Sequence, residues 1–151
     1  MGWVKGTYLY FVKAMSFLGH FFLLGLRLYW GYLLVIAGAG KWIHIHQVAE
    51  LFGGLGIPEP QVIAFVVATV ELLGGISLIF GLFSRFFALL VSVVMVTALS
   101  TAHRSHIMGP ATLVQQEPFF YLLTSLAVLC FGPGLFSADY WLEKRSFGEA
   151  L

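Results

Sequence analysis

Four apolar stretches constrain this chain more than any other feature: residues 22–42, 61–82, 86–102 and 118–136. Each is close to the ~20 residues that a helix needs to cross a hydrocarbon layer of about 30 Å. The second stretch carries a single charge, Glu71, near its middle, and the third carries none. In lipid every backbone N–H and C=O must be satisfied within the protein, so a spanning segment is a helix or part of a closed barrel. None of the four shows the alternation of a barrel strand. The fold class expected is therefore all-α: an integral membrane four-helix up-down bundle.

The remaining segments follow from punctuation. Residues 1–20 mix Lys5, Lys13 and His20 with aromatic residues, which reads either as an interfacial helix or as a lead-in to the first span. Residues 21–140 make the bundle, and residues 141–151 form a polar tail. The connection around 43–59 holds Gly53-Gly54-Leu55-Gly56 and Pro58-Glu59-Pro60, strong turn signals. Gly132-Pro133-Gly134 breaks or ends the fourth span. Ala37-Gly38-Ala39 resembles a signal-cleavage site, but the preceding stretch is longer than an h-region, so the N-terminus is read as retained.

Only 10% of the residues are charged, where a soluble domain carries about 25%, which again points to lipid as the surroundings. The formal net charge of +1 gives no reason to expect a nucleic-acid partner. Cys130, the one cysteine, can form neither an intramolecular disulfide nor a dithiol relay. It reads as a small apolar residue within a helix.

Basic residues give an orientation. Lys5, Lys13, Arg85, Lys144 and Arg145 fall on one side, and Lys41 and Arg104 on the other. Both termini are thus expected in the cytoplasm of a bacterium whose inner membrane holds the bundle. The connections near 43–59 and 103–117 then face outward.

Intramembrane charge is costly, so Arg27 and Glu71 are the first candidates for function. Arg27, Gly31, Leu34, Gly38 and Lys41 lie along one face of the first helix. Ala64, Ala68, Glu71, Gly75 and Leu78 lie along one face of the second. Small residues on both stripes permit close approach, and an Arg27–Glu71 pair is one expectation. Two readings stay open: a self-neutralising pair that fixes register, or a Glu71 carboxylate that accepts protons or anchors a small ligand. Ser92, Met95, Leu99, His103 and His106 share a face of the third helix. Lys41, His44, His46, Glu50, His103, His106 and Glu117 gather at the outward boundary. His44, His46, His103 and His106, with Met108 nearby, are weak candidates for a metal. No zinc-type spacing is met, and the favoured reading is a polar rim or a quinone-headgroup site rather than a metal site.

Several segments together resemble the DoxX family. They are Arg27-Leu28, Gly31, Gly38 and Lys41-Trp42; Glu71-Leu72-Leu73-Gly74-Gly75, Gly81-Leu82 and Arg85; Met95, Ala98 and His103; and Glu117, Gly132-Pro133-Gly134 and Ser137-Ala138-Asp139. The resemblance covers residues 22–140. It implies a four-helix membrane protein, similar to a subunit of thiosulfate:quinone oxidoreductase. On that footing the chain is expected to be a quinone-interacting subunit of a membrane oxidoreductase. Glu71 and His103 would be the catalytic pair, with Arg27, Lys41 and Glu117 as ligand-binding residues. The resemblance implies quinone as the cofactor class; no flavin, iron–sulfur or dithiol motif is present, so a partner protein must supply electrons. A non-catalytic scaffold or assembly factor, and a small metal or solute handler, are the alternatives; self-association is open in each.

Overall fold

The computed structural model describes residues 2–101 and 109–148. Among these the chain is helical throughout, without strands: α1 (Gly2–Ile43), α2 (Ile45–Gly54), α3 (Pro60–Phe80), α4 (Ser84–Ser100), α5 (Pro110–Val114), α6 (Glu117–Phe131) and α7 (Ala138–Gly148). The expected all-α membrane bundle is present, built from α1, α3, α4 and α6. Two helical segments, Tyr8–Ile43 and Pro60–Phe80, are long and apolar enough to cross a membrane, and α4 and α6 are shorter apolar helices.

Four features differ from the sequence expectation. Residues 2–20 are not a separate interfacial helix but lead directly into the first span, continuing α1 as one helix of 42 residues, about 63 Å long. No proline interrupts this run, and its glycines meet no stop signal. The glycine-rich connection holds α2, because Val48, Ala49 and Phe52 recur at helical spacing and Ala49 is buried. The polar tail begins as α7, whose start is capped by Ser137: its Oγ accepts the Tyr140 N–H at 3.2 Å. α6 ends at Phe131 rather than at 136, where Gly132 takes φ +79.

The bundle is inside-out by the standards of a soluble protein. Large apolar side chains such as Phe65, Phe80, Phe86, Val93 and Phe131 point outward, while the interior combines small and polar residues with a compact apolar core of Leu34, Leu78, Val91, Met95 and Val128. Buried positions include Ala64, Ala68, Ala88, Ser92, Thr124 and Ser125. Ser92 Oγ and Ser125 Oγ meet at 2.9 Å and join α4 to α6. Helix packing in lipid rests on close backbone approach and interhelical hydrogen bonds, because lipid and leucine are equally apolar.

Glycines set the α1–α3 distance. A Cβ built on Gly38 would lie 2.5 Å from Leu72 N and 2.9 Å from Leu72 Cα; one on Gly75 would lie 2.7 Å from the Gly31 carbonyl oxygen. Backbone cannot give way as a flexible side chain does. Gly38→Ala is therefore expected to destabilise the bundle by roughly 2–3 kcal/mol, read by unfolding in detergent. Gly40→Ala is the control: nothing lies within 4 Å of a Cβ there, and the change should be neutral or stabilising by up to about 1 kcal/mol. Equal effects from the two substitutions would refute close approach as the reason for Gly38.

Candidate functional site

The small-residue stripes bring two ionisable groups together at the α1–α3 interface. Lys41 Nζ donates to Glu71 Oε2 at 2.5 Å, an ion pair. The Glu71 side chain is 5% exposed and that of Lys41 is 32% exposed. The carboxylate is thus held inside the bundle while the lysine reaches it from the edge along its apolar stem. Gly38, one turn before Lys41, sits against the Glu71–Leu72 backbone, so the absence of a side chain there is what lets the pair close.

The pairing differs from the expected Arg27–Glu71 contact. α1 and α3 are antiparallel, with Gly31 against Gly75 and Gly38 against Leu72. That register sets Lys41 beside Glu71 and Arg27 beside the C-terminal end of α3. Arg27 is fully buried. Its Nε donates to the Leu78 carbonyl at 2.8 Å and its Nη2 to the Ile79 carbonyl at 3.4 Å. Its Nη1 donates to the Pro133 carbonyl. Leu78 and Ile79 lie in the last turn of α3, where carbonyls have no intrahelical partner, and a cation at this end also meets the helix dipole favourably.

The rest of the turn between α3 and α4 is clamped from the other side. Asp139 Oδ1 and Oδ2 accept the Phe83 and Ser84 N–H groups, each at 2.8 Å. The Asp139 N–H donates to the Gly81 carbonyl at 2.9 Å. Phe83 adopts a left-handed conformation with φ +49, costly for a residue with a Cβ. The Asp139 carboxylate holds it there. Sequence segments far apart, Arg27, Gly81, Gly132-Pro133-Gly134 and Ser137-Ala138-Asp139, thus converge on one structural knot at the end of the bundle away from Lys41.

Tyr121 completes the buried polar set around the ion pair. It is 7% exposed on α6 and lies within electrostatic range of Glu71 and Glu117. Its ring packs edge-on against Trp30 at 5.6 Å, and Trp30 stacks on Phe120 at 4.9 Å. Sequence reading passed over Tyr121. The signal was available: Glu117, Tyr121, Thr124, Ser125 and Val128 repeat at helical spacing, four of them polar in an apolar helix.

The other candidates are dispersed. Glu117 is exposed in the first turn of α6, and His44, His46 and Glu50 are exposed on or beside α2. His103, His106 and Met108 lie outside the described residues. Among the described residues no group of three or more His, Cys, Asp and Glu side chains comes together.

Comparison with known proteins places this geometry in a family. The chain is 28% identical over 120 residues to a protein of Bacillus subtilis (strain 168) named "Putative oxidoreductase CatD", across 79% of this chain and 85% of that protein. No solved structure matches significantly. The DoxX family model matches residues 22–104, a region that contains Arg27, Lys41 and Glu71 but not Glu117 or Tyr121. The chain is a member of the DoxX family of membrane proteins.

Proposed function

We propose that this chain is the quinone-interacting subunit of a membrane oxidoreductase complex in the bacterial cytoplasmic membrane, with both termini in the cytoplasm. The buried Lys41–Glu71 ion pair carries the reading. An intramembrane carboxylate is expensive to maintain and marks function by default. The relative from Bacillus subtilis, named as an oxidoreductase, supports the reaction class. Trp30, Phe120 and Tyr121 pack into an aromatic cluster between α1 and α6, a kind of surface on which a flat ring can stack.

The residues present fit a quinone at the level of donors and acceptors. A quinone takes up two electrons and two protons on reduction. Lys41, partly exposed, would hold a quinone carbonyl oxygen by a hydrogen bond. Glu71 exchanges a proton through Lys41 and keeps the site neutral when the lysine charge is offset. His103 would supply a second donor and Glu117 part of the polar rim. Arg27 takes no part, since backbone carbonyls engage its guanidinium. Electrons arrive from a partner protein.

The test is quinone-dependent turnover of the complex recovered with its partner, together with quinone extraction from it. Glu71→Gln and His103→Ala are expected to lower turnover by 10²-fold or more, as loss of a proton-transfer group does, with partner recovery unchanged. Normal turnover in both variants would sink the proposal. Normal turnover per complex with poor partner recovery would favour the scaffold reading.

A further inference from the structure

A second polar site lies at the opposite end of the bundle from the ion pair. A groove of about 480 Å³ opens between the start of α4, the end of α6 and α7. Arg85 and Glu143 both line it, as do His20, Phe83, Phe86 and Phe131. Neither Arg85 nor Glu143 makes a hydrogen bond or ion pair among the described residues. Asp139 also lines the groove, but both of its carboxylate oxygens are taken by the Phe83 and Ser84 N–H groups, so Arg85 and Glu143 are the two opposite charges left to meet a ligand. The Arg85 guanidinium lies across Gly132, where a Cβ would stand 3.2 Å from Nη2, so the bare backbone leaves it room. His20 gives its Nδ1–H to the Ser16 carbonyl at 2.7 Å, which leaves Nε2 as the ring atom free to meet a ligand.

Location selects the ligand. Phe83, Phe86 and Phe131 are 66%, 59% and 77% exposed and stand where the apolar helices end, so acyl chains reach the groove from one side and water from the other. The groove holds one arginine and is not a basic patch, but an arginine at the depth where headgroups lie can hold a lipid phosphate. A free carboxylate in the same groove disfavours a purely anionic headgroup and matches a cation attached to the phosphate. We propose that this groove binds a phospholipid with a primary-amine headgroup, its phosphodiester on Arg85 and its ammonium on Glu143. A guanidinium grips a phosphate through paired N–H donors, which makes Arg85 the anchor. Glu143 then sets headgroup selectivity. This site is independent of the quinone reading, since it shares no residue with the Lys41–Glu71 pair.

The delipidated full-length chain in mild detergent, titrated with short-chain phosphatidylethanolamine and followed by native mass spectrometry, will take up one saturable equivalent. Phosphatidylglycerol of the same chain length will bind about tenfold more weakly, the difference one charge-assisted hydrogen bond makes. Arg85→Gln will weaken uptake of both lipids by about tenfold or more, and Glu143→Gln will bring phosphatidylethanolamine down to the phosphatidylglycerol level. Equal uptake of the two lipids by the wild-type chain would overturn the proposal. So would binding unchanged by Arg85→Gln, or displacement of the lipid by inorganic phosphate alone.

Discussion

Replacing Lys41 with methionine is expected to cost about 2–3 kcal/mol of bundle stability, and replacing Glu71 with methionine in the same chain is expected to restore most of it. The single substitution leaves the 5%-exposed Glu71 carboxylate without its counter-charge. Breaking a fully buried pair costs roughly 3–5 kcal/mol; Lys41 is one-third exposed, so the attraction it supplies is partly screened and the lower figure applies. The reverse single change, Glu71→Met, costs less, because the lysine can swing outward on its flexible stem. The double variant buries neither charge and gains apolar packing, the circumstance in which an ion pair is replaced with little loss. Unfolding of the four proteins by a denaturing detergent titration closes the cycle. The double variant also separates structure from chemistry. With stability restored, the quinone-dependent turnover that the proposed function assigns to the complex should still be absent. A stable double variant that turns over quinone at the wild-type rate would leave the pair with a packing role only.

The bundle was legible because its signal is compositional: long apolar runs, few charges and breakers at their ends. The pairing of charges was not. Arg27 and Lys41 both lie on the correct stripe of α1, 14 positions apart, about 21 Å along a helix. Which of them meets Glu71 depends on register. Register is decided by how deeply Gly31, Gly38 and Gly75 let the two backbones approach, and spacing along one helix carries no information on that. The knot of Arg27, Gly81 and Asp139 was visible only as scattered resemblance, since its hydrogen bonds join residues more than 50 positions apart. α2 and α7 were hidden by glycine and charge, features that mark loops in general but are tolerated in short helices docked on a bundle or capped by a serine. Tyr121 was missed for a simpler reason: one aromatic residue among many attracts no notice until its polar stripe is counted.

Arg27→Met is expected to be the most damaging single change in the chain, at about 3–5 kcal/mol. Methionine preserves much of the apolar stem but removes every donor. The Leu78, Ile79 and Pro133 carbonyls then lose their partner in surroundings where Arg27 itself had no exposure. Unsatisfied acceptors cost about 1–3 kcal/mol each in such a place, though relaxation and entry of water will keep the total below the sum. Arg27→Lys should recover less than half of the loss, because one ammonium cannot point along the three directions that the planar fork serves. The damage should also be local at first. Amide exchange at the turn through Gly81, Leu82 and Phe83 will accelerate before the middle of α3 does, since that turn is held by Arg27 on one side and by Asp139 on the other. On the proposed function, the fraction that stays folded should keep whatever quinone-dependent turnover the wild type has, which distinguishes this residue from Glu71. An Arg27→Met protein within about 1 kcal/mol of wild type, with unaltered exchange at the turn, would show that water or lipid headgroups satisfy those carbonyls unaided and that the guanidinium does not hold the bundle together.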